Sequence, residues 1–320
     1  MNGMPLSEKE LIRQIRRSVG ARKSVVKGIG DDCAVLRVPP GHEVLVTTDF
    51  TIENVHFRRD WHPPELVGRR CLTRGLSDIA AMGGEPRAAF LSLAIGRDVP
   101  QKWVTRFLKG LLDLAEECKA PMAGGDTAQS PSGIQADIVV VGSVPKGKAV
   151  LRSGAKAGDW IYLTGELGGS AAALARLAES KPVGSPYSRH LRPRPLPRVE
   201  VGQWLRRRGV ASAMIDVSDG LSTDLEHICA ESHVGAEIEA EAIPRARVGP
   251  RKKPVALELA LHGGDDYELL FTSAATVPSV VAGIRVTRIG RATKSAGMRL
   301  IAADGKARPL KPRGWEHFKA

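Results

Sequence analysis

The sequence predicts an α+β protein built from two domains in tandem. Three observations lead there. The chain has 320 residues, roughly twice the ~150 of a common domain. Segments of helical apolar spacing alternate with short runs of Val, Ile and Leu through both halves, as layered α+β domains require. The composition, 42% hydrophobic and 26% charged, is globular and excludes a disordered or fibrous chain. No short-period repeat is present. The boundary is expected after residue 148, giving domains 1–148 and 149–320.

Ser7-Glu8-Lys9-Glu10 is a capping box, and Leu11, Ile12 and Ile15 continue it at helical spacing. Cys33–Val38 and Glu43–Thr48, on either side of Pro39-Pro40-Gly41, read as strands about a turn, which sets Asp49 at a strand end. Leu66–Met82 reads as a helix closed by Gly83-Gly84, Ala88–Ile95 as a strand and Gln101–Lys119 as a helix. Gly124-Gly125-Asp126 reads as a loop before the Val- and Ile-rich strand Ile134–Val144.

The second half opens with a strand at Trp160–Thr164, a glycine-rich turn at Gly165–Gly169 and a helix from Ser170 to about Glu179. Lys181–Arg198, rich in Pro and Arg, reads as an irregular connection. A helix at Val199–Arg208, a strand at Ala213–Val217 and a helix at Leu221–Ser232 follow, then strands at Ala236–Glu239, Glu268–Thr272 and Val286–Ala292.

The net charge of +12 would suit a phosphorylated ligand, a nucleic acid or an acidic membrane. The basic residues are spread along the chain and in loops such as Arg189–Arg198 and Arg245–Lys253, with aromatics at 4%, so no nucleic-acid or membrane partner is expected. No apolar run approaches the ~20 residues of a membrane span. Met1–Ser7 lacks the apolar core of a signal peptide, and the expected location is the cytoplasm. Cys33, Cys71, Cys118 and Cys229 are too scattered for a disulfide framework or a zinc site.

Two segments imitate phosphate loops. Gly142–Ala149 nearly spells the P-loop, but Ala149 stands where a hydroxyl is required and no helix follows, so it reads as a hairpin turn. Gly165–Ser170 lacks the full dinucleotide fingerprint and reads as a tight strand-to-helix connection.

The aspartates are the informative feature. Asp31-Asp32, Asp49, Asp78, Asp126, Asp216 with Asp219, and Asp265-Asp266 lie at strand ends or beside glycines in otherwise apolar segments. Gathered in one cleft they would need cations, hard oxygen ligands select Mg²⁺, and magnesium without a P-loop points to a non-Walker ATP enzyme.

In these segments the chain resembles the thiamine-monophosphate kinase family. The resemblance rests on Gly28–Leu36, Thr47-Thr48-Asp49, Asn54-Val55-His56-Phe57, Leu76–Gly84, Gly124–Thr127, Arg152–Ala155 with Gly158-Asp159, Asp216–Leu221, Gly263–Leu269 and Gly314–Phe318. It implies the two-domain α+β fold of the aminoimidazole-ribonucleotide synthetase superfamily, with N-terminal sheets pairing in a homodimer. It implies that Asp32, Thr47, Thr48, Asp49, Asp78, Asp126, Asp216 and Asp219 bind several Mg²⁺ ions. It also implies that Gly125, Asp126, Arg152 and Ser218 bind ATP, and that His56, Asp265 and Trp315 contact thiamine phosphate. The family's usual Glu is replaced here by Asp265, one methylene shorter. The implied reaction is direct transfer from ATP to thiamine phosphate, with no covalent or general-base residue, because a phosphate monoester is already mostly ionised at neutral pH.

Overall fold

The computed structural model describes residues 8–19, 23–29, 33–183, 197–249 and 251–316. Ser7, Asp31, Asp32, His317, Phe318 and most of the Pro- and Arg-rich connection lie outside them. The chain divides into two compact units, Met1–Ile79 with Gly84–Gly147, and Ala80–Gly83 with Lys148–Ala320.

In the first unit, helix α1 (Glu8–Ser18) precedes the small pair β1 (Val25–Lys27) and β2 (Val35–Leu36). A four-stranded sheet follows, in the order β3 (His42–Ile52), β6 (Ile134–Pro145), β4 (Glu85–Gly96), β5 (Met122–Ser130). Only β4 and β5 run parallel. The expected Glu43–Thr48 strand continues to Ile52, because β6 pairs with it along its whole length. Asp49 therefore lies inside a strand, opposite Ile138, and not at a strand end. Gly124-Gly125-Asp126 is no loop but the middle of edge strand β5, paired with Phe90, Leu91 and Ser92. Of Cys33–Val38 only Val35-Leu36 is strand.

Helices α2 (Pro64–Ala81) and α3 (Gln101–Glu117) follow their apolar periodicity. Phe107, Leu111 and Leu114 are fully buried on α3, each contributing about 1.5–3 kcal/mol of apolar transfer. The two helices cross where side chains vanish. A Cβ on Gly68 would stand 1.9 Å from Phe107 O, and one on Gly110 would stand 2.0 Å from Glu65 O.

The second unit centres on a mixed sheet. Its order is β16 (Ala307–Pro309), β15 (Met298–Ile301), β9 (Gly235–Glu239), β14 (Ile284–Thr293), β7 (Trp160–Thr164), β12 (Glu268–Ser273), β8 (Ala213–Val217), with β13 (Val280–Val281) paired on β14. Strands β8 and β12 are buried at every residue, the apolar Ala213-Met214-Ile215 and Leu269-Leu270-Phe271 together with the polar Asp216, Glu268, Thr272 and Ser273. Helices α4 (Gly169–Ala178), α5 (Val199–Arg208), α6 (Leu221–Ser232) and the short α7 (Leu257–His262) complete the unit. The segment Arg245–Lys253, expected as a basic loop, contributes the small hairpin β10 (Arg247–Val248) and β11 (Lys253–Pro254).

Candidate active site

In the first unit the candidate residues are distributed by the two-residue period of β3. Leu45 and Thr51 are buried and Thr47 and Asp49 half-buried on one face, while Val44, Val46, Thr48 and Phe50 are exposed on the other. Thr47 donates a short hydrogen bond from Oγ1 to Asp78 Oδ2 on α2, and Asp49 lies 3.7 Å from the Arg74 guanidinium. Thr48 points to the opposite face, where its Oγ1 donates to Asp137 Oδ1 at 2.6 Å. Phe50, Asp137, Ser92 and Asp126 form one register line across the sheet on that face. The side chains of Thr47-Thr48-Asp49 thus serve two faces, Thr47 and Asp49 with Asp78, Thr48 with Asp126 and Asp137.

Asp126 is exposed, with Oδ1 accepting from the Thr127 N–H at 2.9 Å. Gly125, Asp126 and Thr127 form the polar end of a cavity of about 900 Å³, whose remaining walls include Ile15, Leu112 and Met122. The Thr127 hydroxyl in that wall is buried without a hydrogen-bond partner among the described residues. His56 follows the turn at Asn54, which has φ 64°. His56 Nδ1 accepts from the Ile52 N–H at 3.0 Å, which puts the proton of the neutral ring on Nε2.

The second unit holds its carboxylates on a turn. Asp216 is buried in β8, and Asp219 and Gly220 lead into α6. Asp224 Oδ2 accepts from the N–H groups of Gly220 at 3.0 Å and Asp219 at 3.3 Å. Burial, with the charges of Asp216 and Asp219, pushes the Asp224 carboxyl up to about 8. Asp265 Oδ1 accepts from the Tyr267 hydroxyl at 2.7 Å. Arg152 is exposed, and its loop is pinned by Ser232 Oγ, which donates to Arg152 O at 2.9 Å and accepts from Gly154 N–H at 3.1 Å. Trp315 is 53% exposed.

Neither imitation of a phosphate loop receives an anion's geometry. Lys146-Gly147 is a turn, and no helix follows it before residue 159. The Gly168 N–H at the start of α4 donates instead to Asp266 Oδ2 at 2.7 Å. That carboxyl is pushed up to about 8 by burial, against the lowering pull of hydrogen bonds from Gly168 and Ser170.

Comparison with known proteins gives the family of the chain. Models of the AIR synthase related protein match its N-terminal domain at residues 30–144 and its C-terminal domain at residues 156–303. Thiamine-monophosphate kinase of Escherichia coli K12 is 38% identical, covering 96% of this chain and 97% of its own. The chain belongs to the thiamine-monophosphate kinase family. The Bacillus subtilis member is 35% identical over 98% of this chain and its own full length. The solved family member from Stenotrophomonas maltophilia superposes with a TM-score of 0.81 at 33% identity, over 95% of this chain and 98% of the other. AaThiL complexed with AMPPCP and TMP superposes with a TM-score of 0.75 at 32% identity, over 99% of this chain and all of the other.

The roles of four residues of this family member are seen only in the structure. Asp137 joins Thr48, Asp224 ties the turn after β8, and Asp266 caps α4. Glu268, legible only as the start of a strand, is buried and takes two hydrogen bonds from Arg198 and one from Thr164. The partners of Asp137, Asp266 and Glu268 lie far away in sequence, so no local spacing marks them, whereas those of Asp224 are four and five residues back. Among the described residues no three His, Cys, Asp or Glu side chains form a cluster that could hold a metal ion. The donors nonetheless fit magnesium in kind. They are carboxylate and hydroxyl oxygens, and Mg²⁺ completes its octahedron with water and phosphate oxygens. Among those residues no helix is long and apolar enough to cross a membrane.

Proposed function

We propose that this chain transfers the γ-phosphoryl group of ATP to thiamine phosphate, giving thiamine diphosphate and ADP, in one in-line step. An oxygen of the acceptor's phosphate forms the new bond to the γ-phosphorus as the bond to the β,γ-bridging oxygen breaks. The observation that carries this reading is the full-length likeness to AaThiL complexed with AMPPCP and TMP.

Several magnesium ions, when bound, neutralise the two clustered polyanions. Thr47, Asp49 and Asp78 hold them from one face of the first sheet, Thr48 and Asp126 from the other, Asp216 and Asp219 from the turn after β8, and Asp32 completes the set. Gly125, Asp126, Arg152 and Ser218 bind the ATP. Arg152 steadies its phosphates as a permanent cation, and the cavity beside Gly125 takes the nucleoside, which would satisfy the buried Thr127 hydroxyl. On the acceptor side, His56 donates from Nε2, Asp265 faces the cationic thiamine moiety, and Trp315 offers its ring. No residue acts as nucleophile or general base.

The exposed apolar line Val44, Val46 and Phe50 on β3 supports a homodimer joined through the first sheet. Four cysteines, none of them in a disulfide, agree with a reducing cytoplasm. The function is tested by incubating the protein with MgATP and thiamine phosphate, with free thiamine as a control acceptor. Thiamine diphosphate is expected on chromatography only from the phosphate. Its absence, with ATP still bound, would leave a nucleotide-binding protein without this activity.

A further inference from the structure

Every carbonyl of the turn that leaves β8 is committed. Val217 O accepts from the Tyr267 N–H at 2.8 Å, Ser218 O from the Asp265 N–H at 2.8 Å, and Asp219 O from the Trp315 N–H at 3.0 Å. Two of the three residues assigned to the acceptor, Asp265 and Trp315, therefore hang from consecutive carbonyls of the residues assigned to nucleotide and metal.

The attachments are close and over-determined. Asp265 and Tyr267 adopt φ of 65° and 53°, a left-handed backbone that costs a non-glycine residue energy and persists only where its surroundings hold it. A Cβ on Gly264 would stand 2.5 Å from Ser218 O, and one on Gly314 would stand 2.1 Å from Asp219 O. On the strap before Trp315, Gly314 N–H donates to Thr223 Oγ1 at 3.0 Å and Arg313 N–H to Ser222 Oγ at 3.3 Å. Ser222 Oγ is fixed in turn by His262 Nδ1 at 2.8 Å.

We propose that the Ser218-Asp219 turn couples the two substrates, with Gly264 and Gly314 as positioning residues through which the bound magnesium nucleotide sets the seats of Asp265 and Trp315. The carboxylate and the carbonyl of Asp219 belong to one residue, so a cation that fixes the first also fixes the second. Thiamine phosphate accordingly binds more tightly to the nucleotide-loaded protein, and by linkage the nucleotide binds more tightly to the acceptor-loaded one. This rests on the function proposed above.

Calorimetry of thiamine phosphate with the full chain, with and without Mg²⁺ and non-hydrolysable AMPPCP, tests it. Wild type should gain about fivefold or more in affinity on nucleotide loading. Gly314→Ala, whose Cβ presses on Asp219 O, should reduce the gain to below about twofold. Thr223→Val, which removes the strap's acceptor without adding bulk at the turn, should lower the gain in the same direction and serves if Gly314→Ala does not fold. A gain of wild-type size in Gly314→Ala, or in Thr223→Val if the alanine variant does not fold, would overturn the coupling, as would wild type showing no gain although it binds both ligands. Failure of wild type to bind either ligand would overturn the functional reading and the coupling with it.

Discussion

The two candidate regions hold their carboxylates in opposite ways. On the first sheet Asp126 is exposed, and Thr48 and Asp137 meet on an open strand face. On the turn after β8, Asp216 is buried, and the amides of Asp219 and Gly220 and the carbonyls of Val217, Ser218 and Asp219 are bonded within the fold. A strand face displays ligands at a fixed spacing but leaves their environment to solvent and to whatever binds. A fully bonded turn sets ligand positions beforehand, so substitutions there act through geometry as well as charge.

The largest effect is expected on the first sheet's inner face. Asp78→Asn and Asp49→Asn should each lower turnover by at least about 100-fold, because each removes charge that balances phosphate through magnesium. Circular dichroism should stay that of wild type. Loss of the dichroism signal together with activity would assign these residues to the fold.

Next comes the second unit's buried pair. Glu268→Ala leaves the Arg198 guanidinium buried without its carboxylate and should cost about 3–5 kcal/mol in unfolding free energy. Denaturant titration measures it, and a loss below about 1 kcal/mol would show that water or another group replaces the carboxylate.

Asp265 sharpens the comparison, being a turn residue assigned to an open ligand contact. Its φ of 65° suits Asp and Asn better than longer side chains, which gives a physical reason for the shorter acid here. Asp265→Asn keeps that backbone and should raise KM for thiamine phosphate several-fold with KM for ATP unchanged. An unchanged KM for thiamine phosphate would reduce Asp265 to a turn former.

How far the sequence showed all this depends on where each element's partners lie. Helices α2 and α3 and strands β7, β8 and β12 were legible because periodicity, caps and apolar runs are local. Strand β5 was not, since Gly124-Gly125-Asp126 has loop composition. Yet Gly125 has φ 145°, and a Cβ there would stand 1.9 Å from Leu91 O, so glycine marks a close strand approach. Asp49 was misplaced because Thr-Thr-Asp looks like a strand terminus until β6 pairs through it. The aspartates themselves were conspicuous, but their division between two sheet faces follows from register, and the roles of Asp266 and Glu268 depend on partners 98 and 70 residues away.

The smallest effect concerns pH. Asp266, raised to about 8 by burial, lies above its unfolded value of ~3.9. Its contribution to stability is complete below the unfolded value and is lost as pH rises through about 8. The melting temperature of wild type should therefore fall between about pH 6 and pH 9, and Asp266→Asn should fall less. Parallel curves would show that Asp266 stays ionised in the fold.

Direct transfer across these carboxylates is the central claim, and a rapid-quench single turnover with γ-labelled ATP tests it most directly. With enzyme, magnesium and thiamine phosphate, label should pass from ATP to thiamine diphosphate in one phase, with no labelled protein at any time. Labelled protein that forms before the product and decays into it would contradict the account.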